Sequence, residues 1–84
     1  RHEALVLYKA LSFVRDDWQK RSPEELMDQA KRLISESTLR LDYLLLVDPN
    51  TLLPIENNAR TAVVCVAAYC GEVRLIDNML LSAD

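Results

Sequence analysis

The spacing of apolar residues changes once along this chain, and that change constrains the fold more than any other feature. From about Glu3 to Gln19, and again up to about Glu36, apolar residues recur every three to four positions, as they do on helices. From Leu39 onward, apolar residues either alternate with polar ones or form short β-branched runs, as they do in strands. Helices followed by strands, without further alternation, are typical of the α+β class.

The first helical segment contains no glycine or proline, and its apolar residues form one stripe: Leu7, Leu11, Val14 and Trp18. Three aromatic residues, Tyr8, Phe13 and Trp18, also lie in this segment. They could form a ligand platform, but aromatic residues at helical spacing are more often part of a core. We therefore predict that all three are core residues.

The start of the second helix is marked by Ser22-Pro23-Glu24-Glu25. Ser22 can cap the helix, Pro23 suits the first helical position, and Glu25 completes a capping box three residues after the serine. The two adjacent carboxylates could also be a catalytic acid pair, but capping and the helix dipole explain both of them. Two helices joined by a short polar turn predict an antiparallel pair.

Three later segments predict a small antiparallel sheet. The first, 39–47, has alternating spacing, and 61–69 is apolar and β-branched enough for a strand covered on both faces. Cys70-Gly71 is predicted to form a two-residue turn, with Gly71 at positive φ, and 72–81 returns as the third strand. The predicted fold is thus α+β, with two N-terminal helices packed on a small three-stranded antiparallel sheet.

Apolar residues occupy both faces of the predicted strands, since Ile76 lies opposite Leu75, and Leu44 and Leu46 lie opposite Leu45. Two helices can cover only one face of a sheet. The second face then meets a neighbouring domain or another subunit, or else loops and helix ends wrap around it. The sequence leaves both possibilities open.

Composition excludes several classes of function. A length of 84 residues fits one domain, and a net charge of −3 with scattered Lys and Arg argues against nucleic-acid binding. No apolar run approaches the ~20 residues of a membrane helix. The two cysteines, Cys65 and Cys70, are too few for a zinc site, and the only histidine is His2. The two cysteines are also predicted not to form a disulfide with each other. The chain begins without Met or a signal-peptide pattern, so we expect a fragment of a longer polypeptide.

Several motifs, in order, resemble those of the pantothenate synthetases. The D-Y-L-L-L-V-D-P-N-T-L stretch at 42–52 resembles the family's D-Y-x-x-[LIV]-V-D-x-x-[ST]-L segment, and R-L-I-D-N at 74–78 resembles its terminal R-L-[IL]-D-N box. V-A-A-Y-C-G at 66–71 is similar to the family's V-A-A-x-x-G, although Tyr69 stands where an arginine is usual. The opening segment 3–11 resembles the helix that follows the family's S-S-R-N stretch.

The resemblance implies a two-domain cytoplasmic ligase. In that family, pantoate is adenylated with ATP and magnesium, and β-alanine then attacks the pantoyl adenylate to give pantothenate. A Rossmann-type N-terminal domain with an H-I-G-H-like motif binds the nucleotide and both substrates, and a C-terminal domain resembles a hinged lid. We therefore expect residues 1–84 to be the lid, with the absent N-terminal catalytic domain as its partner. We expect no catalytic, cofactor-binding or metal-binding residue in this chain, and no activity of the chain alone.

Arg74, Asp77 and Asn78 are the candidate contacts between the lid and the rest of the enzyme. In the functional interpretation, they face the active cleft and help the lid to close. In the structural interpretation, Asp77 and Asn78 bond backbone groups where the strand ends, and Arg74 lies along the sheet. The readiness of Asp and Asn to bond nearby backbone favours the structural interpretation.

Two other functions compete with the lid role. A stand-alone α+β interaction module could bind a protein through its apolar sheet face. Solution mass, and binding to a separately made N-terminal domain, would distinguish it from a lid. An independent enzyme is disfavoured, because the carboxylate pairs Asp16/Asp17 and Glu24/Glu25 have no nucleophile, base or metal ligands near them in the sequence.

Overall fold

The structure, a computed structural model, describes residues 2–55 and 59–83. Its elements are α1 (His2–Asp16), α2 (Pro23–Ser35), β1 (Arg40–Val47), β2 (Thr61–Cys70) and β3 (Val73–Ser82). The strands form one antiparallel sheet with the order β1-β2-β3. The prediction of two N-terminal helices and a three-stranded antiparallel sheet, in the α+β class, is confirmed.

Helix α1 buries the predicted stripe of Leu7, Leu11 and Val14, and Trp18 is buried just beyond its end. The helix ends at Asp16, before the predicted end at Gln19. At Gln19 the backbone φ is 75°, which is not helical. The prediction that all three aromatic residues are in the core was wrong for Tyr8, which is 48% exposed. Tyr8 lies on the solvent side of the helix, where a hydrogen bond with Arg15 lowers its pKa.

Helix α2 begins with the predicted capping box. The Ser22 hydroxyl oxygen accepts a hydrogen bond from the Glu25 backbone N–H at 3.1 Å, and the Ser22 N–H donates to Glu25 Oε1 at 3.0 Å. Pro23 occupies the first helical position, where its missing N–H leaves no bond unmade. The cap fixes the helix start, and so directs Leu26, Ala30 and Ile34 into the core.

Ser22→Ala should lower the free energy of unfolding by about 1 kcal/mol, because the Glu25 backbone N–H loses its ordered partner. Ser35→Ala is the matched control. That hydroxyl bonds the Arg32 carbonyl at the other end of the same helix, where alanine serves as well as serine, so a change near zero is expected. Urea unfolding of both variants measures the difference, and equal stabilities for Ser22→Ala and the wild type would refute the cap.

The core lies between the two helices and one face of the sheet. Helix α2 packs on β1, and α1 packs on β3 and β2. The even-numbered residues of β2 face the helices, and the largest of them, Val64 and Val66, are fully buried. Among the described residues, no polar or charged residue is buried, so apolar packing dominates the core.

The hairpin between β2 and β3 differs from the prediction by one residue. Cys70 pairs with Val73, so the turn residues are Gly71 and Glu72, not Cys70 and Gly71. Gly71 has a φ of 62°, whereas the φ of Glu72 is not positive. This is the pattern of a hairpin turn whose first residue is glycine. The predicted turn would have required a positive φ at Cys70, at a steric cost that only glycine avoids. As a result, Cys65 pairs with Asn78, whereas the predicted turn would have placed it opposite Ile76.

A β-bulge in β1 reverses the faces of half that strand. Leu41 pairs with Ala68 and Tyr43 pairs with Ala67, so Asp42 is the extra residue. The bulge turns Leu44 toward the helices and places Leu45 on the other face. The strict alternation that the sequence predicted across 39–47 therefore holds only on each side of Asp42.

Candidate functional site

In the described part of the chain, neither helix covers the face of the sheet turned away from the helices. We call it the open face; it consists of the odd-numbered residues of β2 (Thr61–Cys70) together with their pairing partners on β1 and β3. Both helices pack on the opposite face, and the loop residue Ile55 also packs against the helix-side core. Of the two possibilities that the sequence left open, wrapping by the chain's own described loops and helix ends is therefore wrong.

The middle and one end of the open face are mostly apolar, with Asn78 as the polar residue opposite Cys65. Leu45 is 51% exposed, Ile76 is 60% exposed and Leu80 is 66% exposed, and half-buried Val63 and Cys65 lie between them on β2. In a small domain, large apolar side chains at this exposure mark a surface that another molecule or domain covers.

The other end of the open face carries arginines stacked on tyrosines. The Arg40 guanidinium lies 4.5 Å from the centre of the Tyr69 ring, and the Arg74 guanidinium lies 5.7 Å from that of Tyr43. Arg74 also donates to Asp42 Oδ2 from Nη2 at 3.0 Å, and this hydrogen bond raises the pKa of Arg74. These contacts hold both guanidinium groups against the tyrosine rings of the sheet.

The three candidate contact residues do not converge on one site. Arg74 and Asn78 pair with Tyr69 and Cys65, so both lie on the open face, whereas Asp77 pairs with Val66 on the helix side. The Asp77 carboxylate accepts a hydrogen bond from the Asn78 backbone N–H at 2.8 Å. Strand β3 continues to Ser82, so neither residue lies at a strand end as the structural interpretation assumed.

Three further residues of this site were not predicted from the sequence: Arg40, Asp42 and Tyr43. Arg40 reaches Tyr69 because the two residues are paired across β1 and β2, and this pairing depends on the bulge. No sequence signal identified these partners, because they are set by the strand register.

The two cysteines lie on opposite faces of the sheet. Cys65 is on the open face, and Cys70 is on the helix side, in the wall of an apolar depression of about 320 Å³ beside Ala4 and Leu75. Neither forms a disulfide, as predicted, because five residues of extended strand separate their Cα atoms by roughly 17 Å.

The remaining surface offers little chemistry. A depression of about 400 Å³ at the α1–α2 turn is lined by Trp18, Gln19 and the segment 21–24. Its one carboxylate, Glu24, lies in the first turn of α2, where it complements the helix dipole. Within residues 2–55 and 59–83, no three His, Cys, Asp or Glu side chains come close enough to hold a metal ion. Over the same residues, no helix is long and apolar enough to cross a membrane.

Comparison with known proteins identifies the family. A family model described as pantoate-beta-alanine ligase matches residues 1–80. A pantothenate synthetase from Koribacter versatilis is 43% identical over 99% of this chain, and a bifunctional pantoate ligase/cytidylate kinase from Synechococcus sp. (strain JA-3-3Ab) is 40% identical over 100% of it. The chain spans 30% and 16% of the lengths of these two relatives.

A solved structure supports the same assignment. The crystal structure of pantothenate synthetase from Thermus thermophilus superposes with a TM-score of 0.83 and 37% identity, over 94% of this chain and 29% of its own. The arrangement of helices and sheet is therefore shared with that enzyme as well as the sequence. The chain belongs to the pantoate-beta-alanine ligase family.

Proposed function

We propose that this chain is the C-terminal lid domain of a cytoplasmic ligase that joins pantoate to β-alanine through a pantoyl adenylate. Two observations support the proposal: the family match spans residues 1–80, and the chain spans only 30% of the length of the Koribacter pantothenate synthetase that it matches. A domain of this size, attached to a larger catalytic part, can move as a unit over a site that it does not itself contain.

The side chains of this domain do not fit a nucleotide or its magnesium ion. An adenylate-forming site needs backbone amides of a glycine-rich loop or helix start around the phosphates, with cationic side chains beside them. The only glycine, Gly71, is committed to the hairpin turn, and the only histidine is His2. In the proposal, ATP, magnesium, pantoate and β-alanine are therefore held by the remainder of the ligase.

The contribution of a lid is to exclude water. An acyl adenylate reacts with water as well as with an amine, so its productive use depends on keeping solvent out until β-alanine attacks. The sheet suits this role, because its three strands are joined by antiparallel pairing and its open face presents apolar side chains. The lid thus acts on the yield of the second step more than on nucleotide binding.

Among the candidate contacts, we propose that Arg74 and Asn78 touch the catalytic part and that Asp77 does not. The first two lie on the open face, and Asp77 is on the helix side. Arg74 is 41% exposed in its side chain while bonded to Asp42, so it can contact a second group without losing the first. Because solvent screens an exposed ion pair, this one contributes little to the fold, which leaves room for a functional role.

Arg74→Gln in the full-length ligase should lower the rate of pantothenate formation several-fold and leave the free energy of unfolding nearly unchanged. Asp77→Asn is the matched control, since it also removes one charge from the same strand but on the helix side, and its rate should stay at the wild-type level. Arg74→Lys should restore part of the activity. Equal rates for Arg74→Gln and Asp77→Asn would contradict the assignment.

The isolated 84-residue chain should neither bind ATP nor make pantothenate. Calorimetric titration with ATP and magnesium, and a coupled assay with pantoate and β-alanine, test this directly. The same titration with the full-length ligase is the positive control. Turnover by the isolated chain would overturn the proposed division between catalytic part and lid.

A further inference from the structure

We propose that the apolar depression between the first turn of α1 and the β2–β3 hairpin holds an apolar side chain of the residues that immediately precede Arg1 in the parent ligase. The inference rests on the proposed function, which places the catalytic part before residue 1, and it adds a fixed contact on the helix side of the sheet. The depression has a volume of about 320 Å³ and is lined by Glu3, Ala4, Cys70, Val73 and Leu75.

Helix α1 is too short to cover the helix side of the sheet as far as the hairpin. Its 15 residues span about 22 Å, whereas the 10 residues of β3 span roughly 33 Å. Trp18, just beyond the end of α1, donates to the Arg60 carbonyl before β2, so the uncovered length lies at the hairpin. Val73 shows the consequence, because it lies on the helix side and is still 63% exposed. The missing length of roughly 10 Å corresponds to about seven residues of helix, and we call the residues that precede Arg1 over this length the upstream segment.

The upstream segment begins at the rim of the depression. The residue before Arg1 is four positions before Ala4, and side chains four apart on a helix are neighbours, with Cβ atoms about 5–6 Å apart. A cavity of about 150 Å³ accepts a benzene-sized group, so the depression has room for one large apolar side chain and the backbone that carries it. The short covalent connection gives this side chain a high effective concentration at the depression, so a small contact suffices.

Other occupants fit this depression less well. A stable pair of separate chains uses about 20–30 residues on each partner, whereas five residues line the depression. A small-molecule site needs several convergent polar groups to orient its ligand, and of the lining residues only Glu3 is charged. An apolar side chain of the same polypeptide needs neither a large area nor polar partners.

The contact lies on the other side of the sheet from the open face, because Cys70 and Val73 face the helices. It therefore persists whether the lid is open or closed, and it keeps the hairpin end of the sheet beside the entry of the chain. Leu80 is seven residues along β3 from Val73, or roughly 23 Å away, so that end of the sheet moves farther when the lid swings.

Cys70 reports on this contact because it lies in the wall of the depression, and Cys65, on the opposite face, is the internal control. In the full-length ligase, each apolar residue of the upstream segment is replaced by alanine in turn. The alkylation rates of both cysteines with iodoacetamide are then resolved by peptide mass spectrometry. One of these substitutions should raise the Cys70 rate at least ~10-fold and leave the Cys65 rate unchanged. In the unsubstituted ligase, the Cys70 rate should be the same without substrates and with ATP, magnesium and pantoate.

A second variant changes the wall of the depression and leaves the upstream segment intact. Val73→Thr keeps a β-branched side chain, which preserves strand propensity, but places a hydroxyl in the apolar contact. It should raise the Cys70 rate in the ligase several-fold. Leu53→Thr is the matched control, because Leu53 is also 63% exposed but lies after β1, away from the depression, and it should change neither rate.

The inference is wrong if the upstream segment contains no apolar residue, or if no alanine substitution in it changes the Cys70 rate. It is also wrong if substrates change the Cys70 rate, because the contact would then move with the lid. A substitution that accelerates both cysteines has unfolded the domain. In that case Val73→Thr decides, and an unchanged Cys70 rate in that variant rejects the contact. The lid function is tested separately, since an unchanged pantothenate yield after removal of residues 1–84 would reject it whatever the Cys70 rates are.

Discussion

Removing residues 1–84 from the parent ligase should lower the yield of pantothenate per ATP consumed by about tenfold or more, because the adenylate would then be open to water. The affinity for ATP should change much less, since in the proposal the remainder of the ligase holds the nucleotide. The comparison of full-length and truncated enzyme therefore measures ATP affinity, AMP formation and pantothenate formation separately.

The truncated enzyme needs evidence that it is still folded. Retained ATP binding and an unchanged unfolding transition of the catalytic part serve as that control. AMP formation that continues while pantothenate formation falls is the pattern expected for a missing lid. If truncation leaves all three quantities unchanged, this domain has no role in the reaction and the proposed function is wrong.

Trp18→Ala should lower the free energy of unfolding by about 3–5 kcal/mol, the usual cost of removing a large buried aromatic side chain. Trp18 is 7% exposed, and its indole N–H donates to the Arg60 carbonyl at 3.1 Å. It thereby ties the α1–α2 turn to the segment that leads into β2. A domain of this length has a total free energy of unfolding of roughly 4–13 kcal/mol. The loss would therefore remove a large part of the stability of the domain.

A small series separates the parts of this effect. Trp18→Phe keeps a ring in the core and removes the N–H donor, so it should cost about 1–2 kcal/mol. Tyr8→Ala removes an exposed aromatic from the same helix and should leave the free energy of unfolding nearly unchanged. Urea unfolding followed by circular dichroism measures all three variants. A loss for Trp18→Ala no larger than that for Tyr8→Ala would show that Trp18 does not anchor the turn.

The helical half of the fold was predictable because its signals are local. The Ser22-to-Glu25 spacing specifies a cap whose partners lie within one turn, and the structure contains both hydrogen bonds. The stripe of Leu7, Leu11 and Val14 needs only the helical period to define a buried face. Tyr8 was assigned wrongly because its spacing from Phe13 suggested a stripe that the packed face of α1 does not include.

The sheet was predictable in its class but not in its faces. A single inserted residue reverses which side chains point inward, and the extra residue, Asp42, is evident only from the pairing of Leu41 and Tyr43 with β2. The hairpin turn has the same consequence, because the position of Gly71 within it sets the partner of every residue on β3. The candidate residues were found in the sequence, but their separation into two faces required the register.

The most direct test of the lid proposal follows oxygen from the solvent. Full-length and truncated enzyme are supplied with ATP, magnesium, pantoate and β-alanine in water enriched in oxygen-18. Each adenylate lost to water places one labelled oxygen in the carboxylate of pantoate, whereas attack by β-alanine does not. The account predicts little label with the full-length enzyme and at least ~10-fold more label per pantothenate after truncation. Equal labelling in the two enzymes, with both still forming adenylate, would contradict it.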